Sequence, residues 1–238
     1  MMKYLSIVFL FVESLMIAQN PQFPFKKEYN GDIVLIEDIS KETYLAKLKK
    51  VNKIKNGSVG NWDKSMFDSL KVNYEGDSCF ALKYGNDKTE RFCSWKRNGS
   101  YQEYSLIGFI KKLNSILVAV AGYNIESFEG GSYVVTISIK NGEQSILRKH
   151  PAISPKGDKF VIGMYNMTSF EGGNGITFGR IEPGRFYYGQ EIDGEKDGYW
   201  GALDPVWISN TEVVFLRKWR DKNTIEEKMK YCKMIVKE

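Results

Sequence analysis

The sequence predicts an all-β fold assembled from repeated, four-stranded antiparallel sheets, and three observations predict it. The stretch YNIESFEGG, Tyr123 to Gly131, returns 42 positions later as YNMTSFEGG, Tyr165 to Gly173, with two positions changed. Each copy follows an apolar run bounded by turn residues, SILVAVAGY and DKFVIGMYN, which is the mark of a strand covered on both faces. Each period also holds about four short strands joined by tight turns, and its length falls in the range of roughly 40 to 50 residues for one blade of a β-propeller. The expectation is a β-propeller-like domain of about five blades, as a closed or an incomplete ring. An aromatic content of 14% supports strands over helices.

In chain order, MMKYLSIVFLFVESLMIAQN has a basic start at Lys3, an apolar run from Leu5 to Val12, and then Ser14 to Ala18. That predicts a signal peptide over residues 1–18, with Glu13 leaving an uncleaved anchor or a buried first strand as the alternatives, and a single mature domain over 19–238. The run is shorter than the roughly 20 residues of a spanning helix, so no transmembrane segment is expected, and the mature protein is placed in the periplasm or the medium. GDIVLIEDI reads as a strand. SKETYLAKLKKV reads as a short helix near 41–51, capped at Ser40 and turning Leu45 and Leu48 inward, and GNWDKSMFDSL as a loop or short helix.

Cys79 and Cys93 flank the hairpin CFALKYGNDKTERFC, whose turn is Gly85, Asn86 and Asp87; the two face each other and are expected to form a disulfide. Cys232 is left over, as a buried free thiol or as a competing partner for one of the other two. After the first repeat copy, Tyr133, Val135, Ile137 and Ile139 alternate with Val134, Thr136, Ser138 and Lys140, a strand with one wetter face that the Asn141-Gly142 turn folds back into QSIL. Gly130 and Gly131 are expected to supply backbone angles that other residues avoid. After the second copy come GITFGRI, the turn Glu182-Pro183-Gly184, and RFYYGQEI. A weaker third copy aligns PAISPKGDKFVI, Pro151 to Ile162, with PVWISNTEVVFL, Pro205 to Leu216.

ISPKGDKFVIG resembles the Ser-Pro-Asp-Gly-Lys turn that opens the second strand of many bacterial propeller blades, including periplasmic Tol-system and prolyl-oligopeptidase-like propellers. Lys156 stands where Asp is usual. Over roughly half the chain, from Tyr104 to about Phe215, the EGG loop, the Ser-Pro turn and WGALDPVWIS also resemble a group of uncharacterised exported bacterial proteins. The resemblance implies a propeller-type arrangement of sheets; its motifs are structural, so it implies no activity.

Chemistry is sparse. A net charge of +5 spread along the chain is no footprint for nucleic acid, and the run KLKKVNKIKN reads as a solvated face. Glu129 and Glu171, one in each repeat, are expected on one rim; they are either ligand-binding carboxylates or turn residues copied with the repeat. In DGEKDGYWGALD, Asp193, Glu195, Asp197 and Asp204 approach the spacing of a calcium loop, although position 3 is Glu and position 12 is Asp. Trp200, beside this acidic segment, is expected to be partly exposed for ligand stacking. His150 is the only histidine, which excludes HExxH zinc sites, and no GxSxG or phosphate-loop motif accompanies it. The function expected is a non-catalytic exported binding or scaffolding module that recognises a glycan, peptide or protein through its blade loops. The alternatives are a hydrolase of an extracellular polymer using carboxylates among Glu129, Glu171, Asp193 and Asp197, and a calcium-stabilised structural domain.

Overall fold

The computed structural model describes residues 23–29, 32–51, 72–85, 88–110, 113–127, 129–165, 174–182, 185–194, 200–220 and 226–237. Residues 1–18, expected to be a signal peptide, GNWDKSMFDSL, the turn residues Asn86, Asp87, Pro183 and Gly184, and the SFEGG portion of the second repeat lie outside them. The chain opens on β1 (Phe25–Tyr29) and β2 (Asp32–Ile39), followed by α1 (Lys41–Val51). A first sheet holds β3 (Val72–Glu75), β4 (Cys79–Tyr84) and β5 (Lys88–Cys93). The second is a meander of β6 (Trp95–Arg97), β7 (Ser100–Ile110), β8 (Ser115–Asn124), β9 (Glu129–Ser138) and β10 (Gln144–Leu147). The third contains β11 (Ala152–Ile153), β12 (Lys159–Met164), β13 (Gly175–Glu182) and β14 (Arg185–Asp193). The fourth runs β15 (Trp200–Trp207), β16 (Glu212–Arg220) and β17 (Glu227–Lys237), and is completed by β2 and then β1 from the other end of the chain.

The protein is thus all-β with one short helix among the described residues, in four antiparallel sheets of three, five, four and five strands where about five four-stranded blades were expected. Both repeat copies occupy the same station: the first joins β8 to β9, and the second starts at Tyr165 directly after β12 and ends before β13. The alignment of Pro151 with Pro205 holds in the same way, β11 and β12 matching β15 and β16.

Consecutive sheets share their cores. One apolar cluster joins the first and second sheets through Phe80, Leu82, Val118 and Val135; another joins the second and third through Leu117, Val134, Phe160 and Ile162. A third joins the third and fourth through Val161, Phe178, Phe215 and Met234. The second sheet is therefore covered on both faces, which is why β8 reads as a continuous apolar run. It also corrects the wetter face expected of β9, where Val134, Val135, Thr136 and Ile137 are all buried.

Between the third and fourth sheets the backbones touch. A Cβ on Gly163 would lie 2.6 Å from the carbonyl oxygen of Ala202, and one on Gly201 would lie 2.5 Å from that of Met164, so neither position has room for a side chain. The Ser-Pro turn adds a polar latch: the Ser154 hydroxyl donates to Asp158 (2.8 Å), and Asn210, in the β15–β16 turn, donates to the other oxygen of that carboxylate (3.3 Å). Burial pushes the Asp158 carboxyl up, but the hydrogen bonds from Ser154 and Asn210 outweigh it and hold its pKa below the ordinary range.

The helix is capped as expected, with the Thr43 amide donating to the Ser40 hydroxyl at 3.1 Å. Its inward face differs: Tyr44 and Val51 are buried, whereas Leu45 is 45% exposed. Tyr44 packs against Tyr231 of β17 at 4.9 Å and Lys47 pairs with Glu212, so the stripe at 44, 47 and 51 meets the sheet and leaves Leu45 a quarter-turn away. Cys79 and Cys93 sit directly opposite each other on β4 and β5 and are joined in a disulfide. Cys232 is buried and free, its thiol pushed up to about 12 by desolvation and donating to Asp38 (3.3 Å). Among the described residues no helix is long and apolar enough to cross a membrane.

Gly163→Ala should destabilise the protein by about 2 kcal/mol, because the obstructing atoms belong to backbone that cannot rotate aside. Urea unfolding reads this directly, and an unchanged midpoint would mean that β12 and β15 do not touch.

Candidate functional site

A pocket of about 700 Å³ opens where the second, third and fourth sheets meet. Ile107, Ala119 and Val134 are among its apolar lining residues, and Ser132, Lys149, His150 and Asp204 supply polar side chains. Asp204 is brought there by a bulge. In the register of β15 with β16, Leu203 faces Leu216 and Val206 faces Val214, so Asp204 and Pro205 together oppose Phe215 alone. Asp204 takes a left-handed conformation, φ 49°, and is exposed. A non-glycine residue holds that conformation at a cost on the order of 1 kcal/mol, and bulges of this kind re-aim a side chain.

The surroundings of Asp204 and His150 are set by burial and charge. Tyr44 of α1 has its pKa raised, first by its own burial and then by the Asp204 charge. His150 reaches solvent, yet the protein around it desolvates the ring and lowers its pKa, against a smaller opposing effect from the Pro151 backbone. At neutral pH the ring is therefore uncharged, able to donate from one nitrogen and accept at the other. Lys149 donates to the carbonyl of Tyr165 (3.4 Å), which ties the pocket's edge to the start of the second repeat.

A second depression, about 590 Å³, lies at the tip of the second sheet beside the first repeat. The β6–β7 turn, with Asn98 at φ 50° and Gly99 at φ 80°, is locked to the repeat loop by the Ile125 amide donating to the Ser100 hydroxyl at 3.0 Å. Trp95, Ile125 and Tyr133 are 47%, 42% and 38% exposed, and this depression collects all three. Tyr133 borders both depressions.

No family model, curated protein or solved structure matches the chain. The site is therefore defined by its own geometry.

Of the residues singled out in the sequence, Glu171, Glu195 and Asp197 lie outside the described residues, and Glu129 is the first residue of β9, opposite Asn124. Trp200 is buried, 1% exposed, rather than presented to a ligand: its ring stacks on Phe215 at 6.3 Å and meets the edge of Phe23 at 6.1 Å. Asp193 ends β14, and the amide of Trp200 bonds back to neighbouring Gly194. Asp204 lies four residues further along β15. Among the described residues no three metal-ligating side chains gather. Gly130 and Gly131 are not at positive φ as expected; they lie within β9, and Gly130 is small because a Cβ would sit 2.9 Å from the Tyr123 ring.

Sequence reasoning missed Lys149 and Asp204 as partners in a pocket, since they meet only once three sheets pack. It also missed Trp95. The available signal was its setting between Ser94 and the cationic pair Lys96 and Arg97, and the strand WKR is exposed throughout.

Asp204→Asn removes the charge while keeping a residue that tolerates the left-handed conformation. Stability should change by less than about 0.5 kcal/mol, while the Tyr44 pKa falls in a ring-carbon NMR titration. An unmoved Tyr44 would separate the two groups. For His150 the folded state favours the neutral ring, so its contribution is complete above the ordinary value of about 6.5 and is lost as pH falls through that value toward the lowered pKa. His150→Gln should therefore lose less Tm than the wild type between pH 7 and pH 5.

Proposed function

We propose that the protein is an exported, non-catalytic binding module of propeller type, which receives a glycan chain end or a peptide in the pocket where its sheets meet. Sheets that share cores in sequence, repeats at equivalent stations, and a last sheet completed from the other end of the chain support the propeller reading. A hairpin disulfide supports an oxidising compartment, in agreement with the signal-like first residues.

The observation that carries the binding reading is Asp204, held at a left-handed bulge and lining the same pocket as Lys149 and His150. A carboxylate, an ammonium and an uncharged imidazole offer both donors and acceptors beside apolar lining residues, and the volume suits a small polar ligand or the end of a polymer.

Glycan and peptide arrays probed with residues 19–238 should give binding that Asp204→Asn weakens tenfold or more, with the bound molecules keeping their mass. Failure of Asp204→Asn to alter any interaction would remove the pocket from the account. Cleavage products that disappear in Glu129→Gln would replace the binder with a hydrolase, and a Tm lowered by chelator would favour a calcium-stabilised domain.

A further inference from the structure

We infer that the groove at the tip of the second sheet is a glycan site, in which a neutral pyranose ring lies over the Gly122–Gly131 pair between Trp95 and Tyr133. The register builds this arrangement. Trp95 faces Gln102, Gln102 faces Gly122, and Gly122 faces Gly131, so one cross-strand row runs through β6, β7, β8 and β9 on a single face. Arg97 and Tyr133 lie two residues from Trp95 and Gly131 along their strands, and so share that face.

Gly131 is the informative residue. It lies inside a strand without positive φ, and a Cβ there would meet nothing within 4 Å. Neither backbone geometry nor internal packing calls for glycine, although glycine weakens a strand. Its partner Gly122 has only an ordinary contact, 3.4 Å, to the Tyr101 carbonyl. A strand glycine of this kind marks a place where another molecule approaches the backbone. The two missing side chains leave a flat floor, with exposed aromatic rings at its edges.

The chemistry selects the occupant. A pyranose presents an apolar C–H face to Trp95 and Tyr133, and hydroxyls that accept from Arg97 and both donate to and accept from Gln102. The charged groups lining the groove are Arg97 and Glu126, one of each sign, which suits a neutral ligand rather than a polyanion. At Gly122 an extended peptide finds no free edge, because β8 is paired with both β7 and β9; residues 129–133 of β9 extend past the register with β10, and the peptide probe below tests strand addition there. The site shares only Tyr133 with the junction pocket and stands whether or not that pocket binds.

The test is an amide NMR titration of residues 19–238 at millimolar concentrations of four neutral hexasaccharides: β-1,4-glucose, β-1,3-glucose, α-1,4-glucose and β-1,4-N-acetylglucosamine. A heparin fragment serves as the polyanion and an uncharged hexapeptide as the peptide probe. At least one neutral sugar should shift the Gly122 and Gly131 amides. Trp95→Ala and Gly131→Val should weaken it tenfold or more, Gly131→Val with unchanged Tm, while Asp204→Asn leaves it intact. Silence from all four sugars, response to heparin or the peptide alone, or full binding by folded Gly131→Val overturns the proposal.

Discussion

The pairing of β2 with β17 is the constraint on which the remaining structure depends. It joins residues 33–39 to 231–237, nearly the whole chain apart, in an unbroken antiparallel register from Ile33 opposite Lys237 to Ile39 opposite Tyr231. Closing so long a loop costs only about 0.6 kcal/mol for each doubling of its length. Val34, Ile36, Met234 and Val236 are all fully buried at this seam, and each such side chain contributes roughly 1.5–3 kcal/mol. Burial therefore outweighs the closure entropy, and β17 is spared the exposed edge it would otherwise present.

From that seam the consequences run inward. The apolar face of the fourth sheet becomes wide enough to cover the third, and Arg180 reaches across to Asp32 with both carboxylate oxygens within 3.0 Å. Gly163 and Gly201 then let β12 and β15 approach backbone to backbone. The bulge after Leu203 occurs on that same closely packed strand, which is how Asp204 comes to line a pocket with residues of the second and third sheets. The site is a product of sheet packing rather than of any one loop.

Features set by short-range geometry were legible in the sequence. The Cys79–Cys93 pairing follows from the position of a tight turn, the Ser40 cap from one hydroxyl and one amide, and the equivalence of the repeats from near-identical chain. What failed depends on partners distant in sequence. Trp200 looked available beside an acidic segment, but Phe23 and Phe215 enclose it. β9 has the alternation of a half-wet strand, yet sheets lie on both sides of it. The Gly131 floor was hidden for the opposite reason: glycine within a loop motif suggests a turn, and only the register shows it in a ladder with space above it.

Hydrogen exchange measured residue by residue tests the seam most directly. If β2 is an integral strand of the fourth sheet, the amides of its ladder should exchange as slowly as those of Val161 and Ile162 in β12, opening only with global unfolding. Rapid exchange throughout 33–38 while β12 stays protected would show the seam to be open, and the account of how the sheets are held together would be contradicted.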